Sequence, residues 1–123
     1  MSEKLPVKSV VWMGNSLDSL QQFPDSVRNK MGYALYLAQI GQKHPSAKPL
    51  KGFSGTSVLE IVDNFDTNTY RAIYTVKFSS IIYVLHTFQK KSKKGIKTPK
   101  QDIDIVKKRL QAAKEHFQQH FSE

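Results

Sequence analysis

Three strand-forming runs follow one another through the middle of the chain: residues 58–63 (VLEIVD), 69–77 (TYRAIYTVK) and 81–88 (IIYVLHTF). They are joined only by the polar segment NFDTN and by a tight link near Ser79 and Ser80. A parallel connection needs a crossover of a dozen or more residues, so links this short impose an antiparallel meander. Side chains alternate along a strand. A two-residue loop at 78–79 or 79–80 therefore puts Arg71, Ile73, Thr75 and Lys77 on one face with Val84, His86 and Phe88. A change of one residue in that loop reverses the assignment.

The flanking segments supply what the meander packs against. Residues 7–13 (VKSVVWM) are rich in β-branched and aromatic side chains and end at Gly14 and Asn15, which predicts a strand closed by a turn. Ser16 is placed to cap a short helix that Pro24 ends or kinks. Over residues 25–40, Val27, Met31, Ala34, Leu35 and Ala38 recur at helical spacing, and Gly41 suits the C-terminal cap. Residues 42–57 hold prolines, glycines, serines and lysines without periodicity and read as a long loop, in which Lys48 and Lys51 are candidates for contact with a partner. At the far end Thr98 is a good N-cap, Pro99 suits the first helical position, and Gln101 has the capping-box spacing. Asp102 and Asp104 complement the positive end of that helix's dipole. Its apolar stripe is Ile103, Val106, Leu110, Ala113 and Phe117, opposite Lys107, Lys108 and Lys114. The expected order is β-α-α-β-β-β-α in one domain over residues 1–123, an α+β fold with a small, mainly antiparallel sheet packed with helices.

Charge bears on the partner. Lys90, Lys91, Lys93, Lys94, Lys97 and Lys100 fall within eleven residues that contain no acid, and the formal net charge of the chain is +9. Such a segment repels itself, belongs on the surface and faces an anion. It reads either as a solvated basic loop or as a phosphate-binding site whose affinity falls with salt. With no cysteine there are no disulfides, thiolate chemistry or cysteine zinc sites. His44, His86, His116 and His120 are scattered, so no metal site is expected. Glycine-rich phosphate loops, a nucleophile elbow and HExxH are missing from the sequence, as are a secretory signal and any apolar run long enough for a membrane helix. A cytoplasmic protein with no cofactor is expected. Arg71 stands within an otherwise apolar strand, either in a salt bridge with Glu60 or as a phosphate contact. It is six residues from Lys77, about 20 Å at strand rise, so the two cannot grip one phosphate but can track a backbone. His86 is either a buried structural histidine or a proton shuttle.

The run from Thr69 to Leu110 resembles the HigB-like, phage-derived branch of the RelE/ParE toxin superfamily, toxins of type II toxin–antitoxin pairs. The pieces that carry the resemblance are YRAIYTVKF at 70–78, YVLHTFQKKS at 83–92 and KTPKQDI at 97–103. It implies a RelE-like fold and, for the RelE and HigB members, endonucleolytic cleavage of messenger RNA on the ribosome, by attack of a 2′-hydroxyl on its own 3′ phosphate without metal or cofactor. In that chemistry cations stabilise the charge that builds on phosphorus. Arg71 matches the family's strand arginine, and Lys90 and Lys91 match the basic pair after the last strand. Lys77, Lys93 and Lys94, with Lys48 and Lys51, would position RNA. Some relatives use a tyrosine near the C-terminus as proton acceptor; this chain has none after Tyr83, which leaves His86 for proton transfer and a lysine of lowered pKa next. The resemblance implies a helix-turn-helix antitoxin as partner, besides ribosome and mRNA. The ParE branch, which poisons gyrase without cutting RNA, is the alternative, and an inactive RNA-binding module the third reading.

Overall fold

The computed structural model describes residues 7–55, 57–90 and 97–120. Eight elements follow in order: β1 (Ser9–Trp12), α1 (Ser16–Gln21), α2 (Asp25–Gln39), β2 (Lys48–Pro49), β3 (Val58–Phe65), β4 (Asn68–Thr75), β5 (Ile81–Lys90) and α3 (Lys100–His120). The five strands form one sheet in the order β1-β5-β4-β3-β2, antiparallel except for β1 on β5. The architecture is the expected α+β, with one strand more than the sequence reading gives. Within the segment read as a loop, Lys48 and Pro49 pair with Glu60 and Leu59. Pro49 has no N–H to give the ladder and is tolerated because β2 is an edge strand.

The β3–β4 hairpin turns more tightly than the polar NFDTN segment suggests. Strand pairing runs out to Phe65 opposite Asn68, leaving only Asp66 and Thr67, both with positive φ (50° and 71°). Two left-handed residues match the right-handed twist of the flanking strands. The β4–β5 connection is longer than the expected two residues, spanning 76–80. A register shift between Ile73 and Tyr74 then intervenes, so that Thr75 pairs with Tyr83 and Tyr74 with Val84, while Ile73 pairs with His86 and Arg71 with Phe88. The longer connection and the bulge at Leu85 offset one another. His86 and Phe88 do share a face with Arg71 and Ile73, as expected, but Val84 lies on the opposite face, in the core beneath α2.

Each sheet face buries one helical layer. Val27, Met31, Ala34, Leu35 and Ala38 of α2 pack on Leu59, Ile61, Ala72, Tyr74, Ile82 and Val84. Gly41, at φ 81°, follows α2 in the left-handed conformation that ends helices. The opposite face, with Ile73, Ile81, Tyr83 and Leu85, is covered by α3 through Val106 and Ala113, flanked by Ile103, Leu110 and Phe117. Two capping assignments shift. Asn15 rather than Ser16 precedes α1, and the Ser16 hydroxyl donates to the Val84 carbonyl at 3.3 Å. Pro99, not Thr98, occupies the N-cap of α3: its carbonyl accepts from the Ile103 N–H at 2.9 Å. Thr98 is thereby left to serve the sheet.

Candidate functional site

The start of α3 lies over the end of the sheet where the lysine cluster begins. Thr69 pairs with Lys90, Arg71 with Phe88 and Ile73 with His86, so Arg71, His86 and Lys90 project from one face, the face α3 covers. Glu60, opposite Ile73, and Lys48, opposite Glu60, extend this row across β3 and β2.

Two polar clusters fill the space beneath α3. In the first, the Arg71 guanidinium, 1% exposed, donates from Nη1 to Glu60 Oε2 at 3.1 Å and to Thr98 Oγ1 at 3.4 Å. The Thr98 hydroxyl in turn donates to the same Glu60 oxygen at 3.1 Å. In the second, His86 Nε2 is 2.7 Å from Asp102 Oδ1, and Arg109 Nη1 is 3.3 Å from His86 Nδ1. A guanidinium only donates, so Nδ1 accepts and the proton resides on Nε2, which donates to Asp102. Arg109 also donates to the Leu85 carbonyl at 3.0 Å and to Asn15 Oδ1 at 3.0 Å. A Cβ on Gly14 would come within 2.5 Å of that guanidinium. The loop between β1 and α1 thus has a glycine where the α3 arginine must pass. Phe88 stacks on the His86 ring with centroids 4.8 Å apart. Burial lowers the pKa of His86; the Asp102 hydrogen bond and charge oppose this, and Arg109 adds to it.

This arrangement sorts the residues singled out from the sequence. Arg71 takes the salt bridge with Glu60. His86, 6% exposed and bonded through both ring nitrogens, has none left to exchange a proton with a substrate while α3 is docked. The proton-shuttle reading therefore gives way to the structural one in this conformation. Lys90 is half-buried, and Lys97, Lys48 and Lys51 are exposed. Lys77 is exposed beyond the end of β4, eight residues from Thr69 and so about 26 Å from the Lys90 end at strand rise. It does not belong to the same group. Lys91, Lys93 and Lys94 lie outside the described residues. The sequence reading missed Arg109 altogether. Its signal was the seven-residue interval from Asp102, which puts both on one side of a helix, next to a Gly-Asn turn.

Among the described residues no group of three His, Cys, Asp or Glu side chains could hold a metal ion, and no helix is long and apolar enough to cross a membrane. The architecture is the RelE fold. A structure of E. coli toxin RelE, a double mutant in the free state, aligns with a TM-score of 0.55 over 86% of this chain and 97% of that one, at 11% identity. By sequence, residues 18–111 match the family model described as phage derived protein Gp49-like, and the chain belongs to that family. The comparison with curated proteins found no match.

Proposed function

We propose that this protein is the toxin of a type II toxin–antitoxin pair, of the HigB-like branch, and that it cleaves messenger RNA on the ribosome. The observation that supports this reading best is the placement of Lys90. It emerges half-buried from the last strand, on the face of Arg71 and at the entrance to the lysine cluster, inside a RelE fold. Lys90 and Lys91 stabilise the charge that builds on phosphorus, and Lys93 and Lys94 hold the RNA backbone by charge. Arg71 supports this site from beneath, its charge already met by Glu60. With both ring nitrogens of His86 engaged, the role of proton acceptor passes to the lysine cluster. The partners are mRNA, the ribosome and a helix-turn-helix antitoxin.

Inducing the wild type in growing bacteria should arrest growth and produce discrete 3′ ends within translated transcripts, read by primer extension. Lys90→Ala with Lys91→Ala should abolish both without changing the thermal midpoint. Arrest with intact transcripts and a DNA-damage response would instead identify the gyrase-poisoning alternative.

A further inference from the structure

At the end of the sheet away from Lys90, a cleft of about 460 Å³ opens beside the C-terminus of α2. Its floor is apolar, made by Ala38, Leu59 and Val76, and Pro49 forms one lip. Lys8 and Lys43 stand on its walls, and among the described residues no carboxylate lines it. The walls are fixed by hydrogen bonds: Lys8 N–H donates to the Gln39 carbonyl at 3.0 Å, the Gln39 side-chain Nε2 donates back to the Lys8 carbonyl at 2.7 Å, and Gln42 N–H donates to the Leu37 carbonyl at 2.7 Å. Next in sequence to Lys43, His44 accepts from Ser46 N–H at 2.9 Å and meets Tyr33 edge-on, with ring centroids 5.8 Å apart. Tyr33 is nonetheless 55% exposed, an aromatic face held in place and open to solvent.

We propose that this cleft binds a nucleotide, as a free nucleoside phosphate or as one residue of a single-stranded RNA. The two ammonium groups meet the phosphate, the apolar floor takes the base, and Tyr33 offers a stacking surface to a neighbouring base. An extended acidic peptide fits less well. Pro49 has no N–H and the Leu50 N–H is already given to the Val58 carbonyl, so strand addition along this lip finds no donor there. The site is separate from the Lys90 end. Val76 lies seven residues along from Thr69, about 23 Å at strand rise, and the floor belongs to the α2 side of the sheet, whereas Lys90 faces the α3 side.

The full-length ¹⁵N-labelled protein is titrated with AMP, with inorganic phosphate and with a uridine hexanucleotide, following the amides of Gly41, Gln42 and Leu59. AMP and the hexanucleotide should both shift these amides, and phosphate alone should shift them much less. Lys8→Ala with Lys43→Ala should weaken AMP binding about tenfold and reduce the log–log salt slope for the hexanucleotide by about 1.4. Lys107→Ala with Lys114→Ala, which removes the same charge from the outer face of α3, should leave AMP binding unchanged. Weaker hexanucleotide binding in Tyr33→Ala, with AMP binding retained, would identify RNA as the ligand; equal binding in Tyr33→Ala would identify a free nucleotide. No shift with AMP, shifts as large with phosphate alone or with a glutamate-rich peptide, or full affinity in the Lys8 and Lys43 variant would overturn the proposal. None of these readouts requires RNA cleavage, so the site stands or falls independently of the toxin reading.

Discussion

A guanidinium 1% exposed is tolerable only beside a carboxylate, and Glu60 supplies one at 3.1 Å with Thr98 bridging the two. Arg71 was legible in the sequence as an anomaly within an apolar strand; which of its two readings held depended on the packing of α3, which strand periodicity does not contain. Removing one member of a buried pair strands the other's charge, at a cost of about 3–5 kcal/mol, whereas apolar replacement of both is often close to neutral. Arg71→Met and Glu60→Leu should each lower stability by that order in urea unfolding, and the double variant should recover most of the loss. Additive losses would show that the pair is not a unit. The same cycle matters for function. Loss of toxicity in Arg71→Ala reports on catalysis only if its fold is intact, whereas Lys90, at the rim, can be removed without that ambiguity.

At the scale of elements, the docking of α3 rests on an apolar stripe that the helical spacing displayed plainly and on polar contacts that it did not. Val106 and Ala113 are fully buried as the periodicity required. Asp102 was read as a partner of the helix dipole, but it accepts from His86, because the bulge at Leu85 brings His86 back to the α3 face. The alternation of strand residues put His86 on that face, but it carries no sign of which α3 residue docks over it, so this contact was hidden. Its pH dependence has a definite sign. Burial lowers the folded pKa of His86 below the usual 6.5, so the unfolded chain takes up the proton first. The stabilisation from neutral His86 is complete above pH 6.5 and is lost as pH falls from there toward the folded value. Wild-type stability should therefore drop as pH falls below about 6.5 more steeply than that of His86→Gln, compared by urea unfolding at each pH. Parallel curves would remove His86 from the account of α3 docking. The β3–β4 turn offers a second measurement. Thr67 is β-branched at φ 71°, a conformation that glycine adopts without strain. Thr67→Gly should stabilise the protein by about 1 kcal/mol, read as a raised urea midpoint with unchanged slope.

For the whole molecule, the sequence made the meander, the helical layers and their order readable, because link lengths and apolar spacing act locally. The parallel pairing of β1 with β5 and the two-residue β2 were not readable, since both are edge contacts made by segments too short to carry a pattern of their own. Charge is the other molecule-wide property that composition displays. A net charge of +9, with Lys48 and Lys90 on the α3 side of the sheet and Lys97 exposed just ahead of α3, creates a positive field over one region. Such a field acts on encounter more than on the final complex: it steers an oppositely charged partner before any contact forms and is screened beyond a Debye length of about 10 Å at 0.1 M salt. An antitoxin that neutralises the proposed site by covering this region needs an acidic contacting segment. Its association rate, measured by stopped flow with the product of the adjacent reading frame, should fall at least about tenfold between roughly 50 and 500 mM salt, with a much smaller change in dissociation rate. Lys90→Ala with Lys97→Ala should flatten that dependence, because the charges removed are those that attract the partner. A rate indifferent to salt would instead place the antitoxin on an apolar surface away from the cluster, and inhibition would then proceed without covering the lysines.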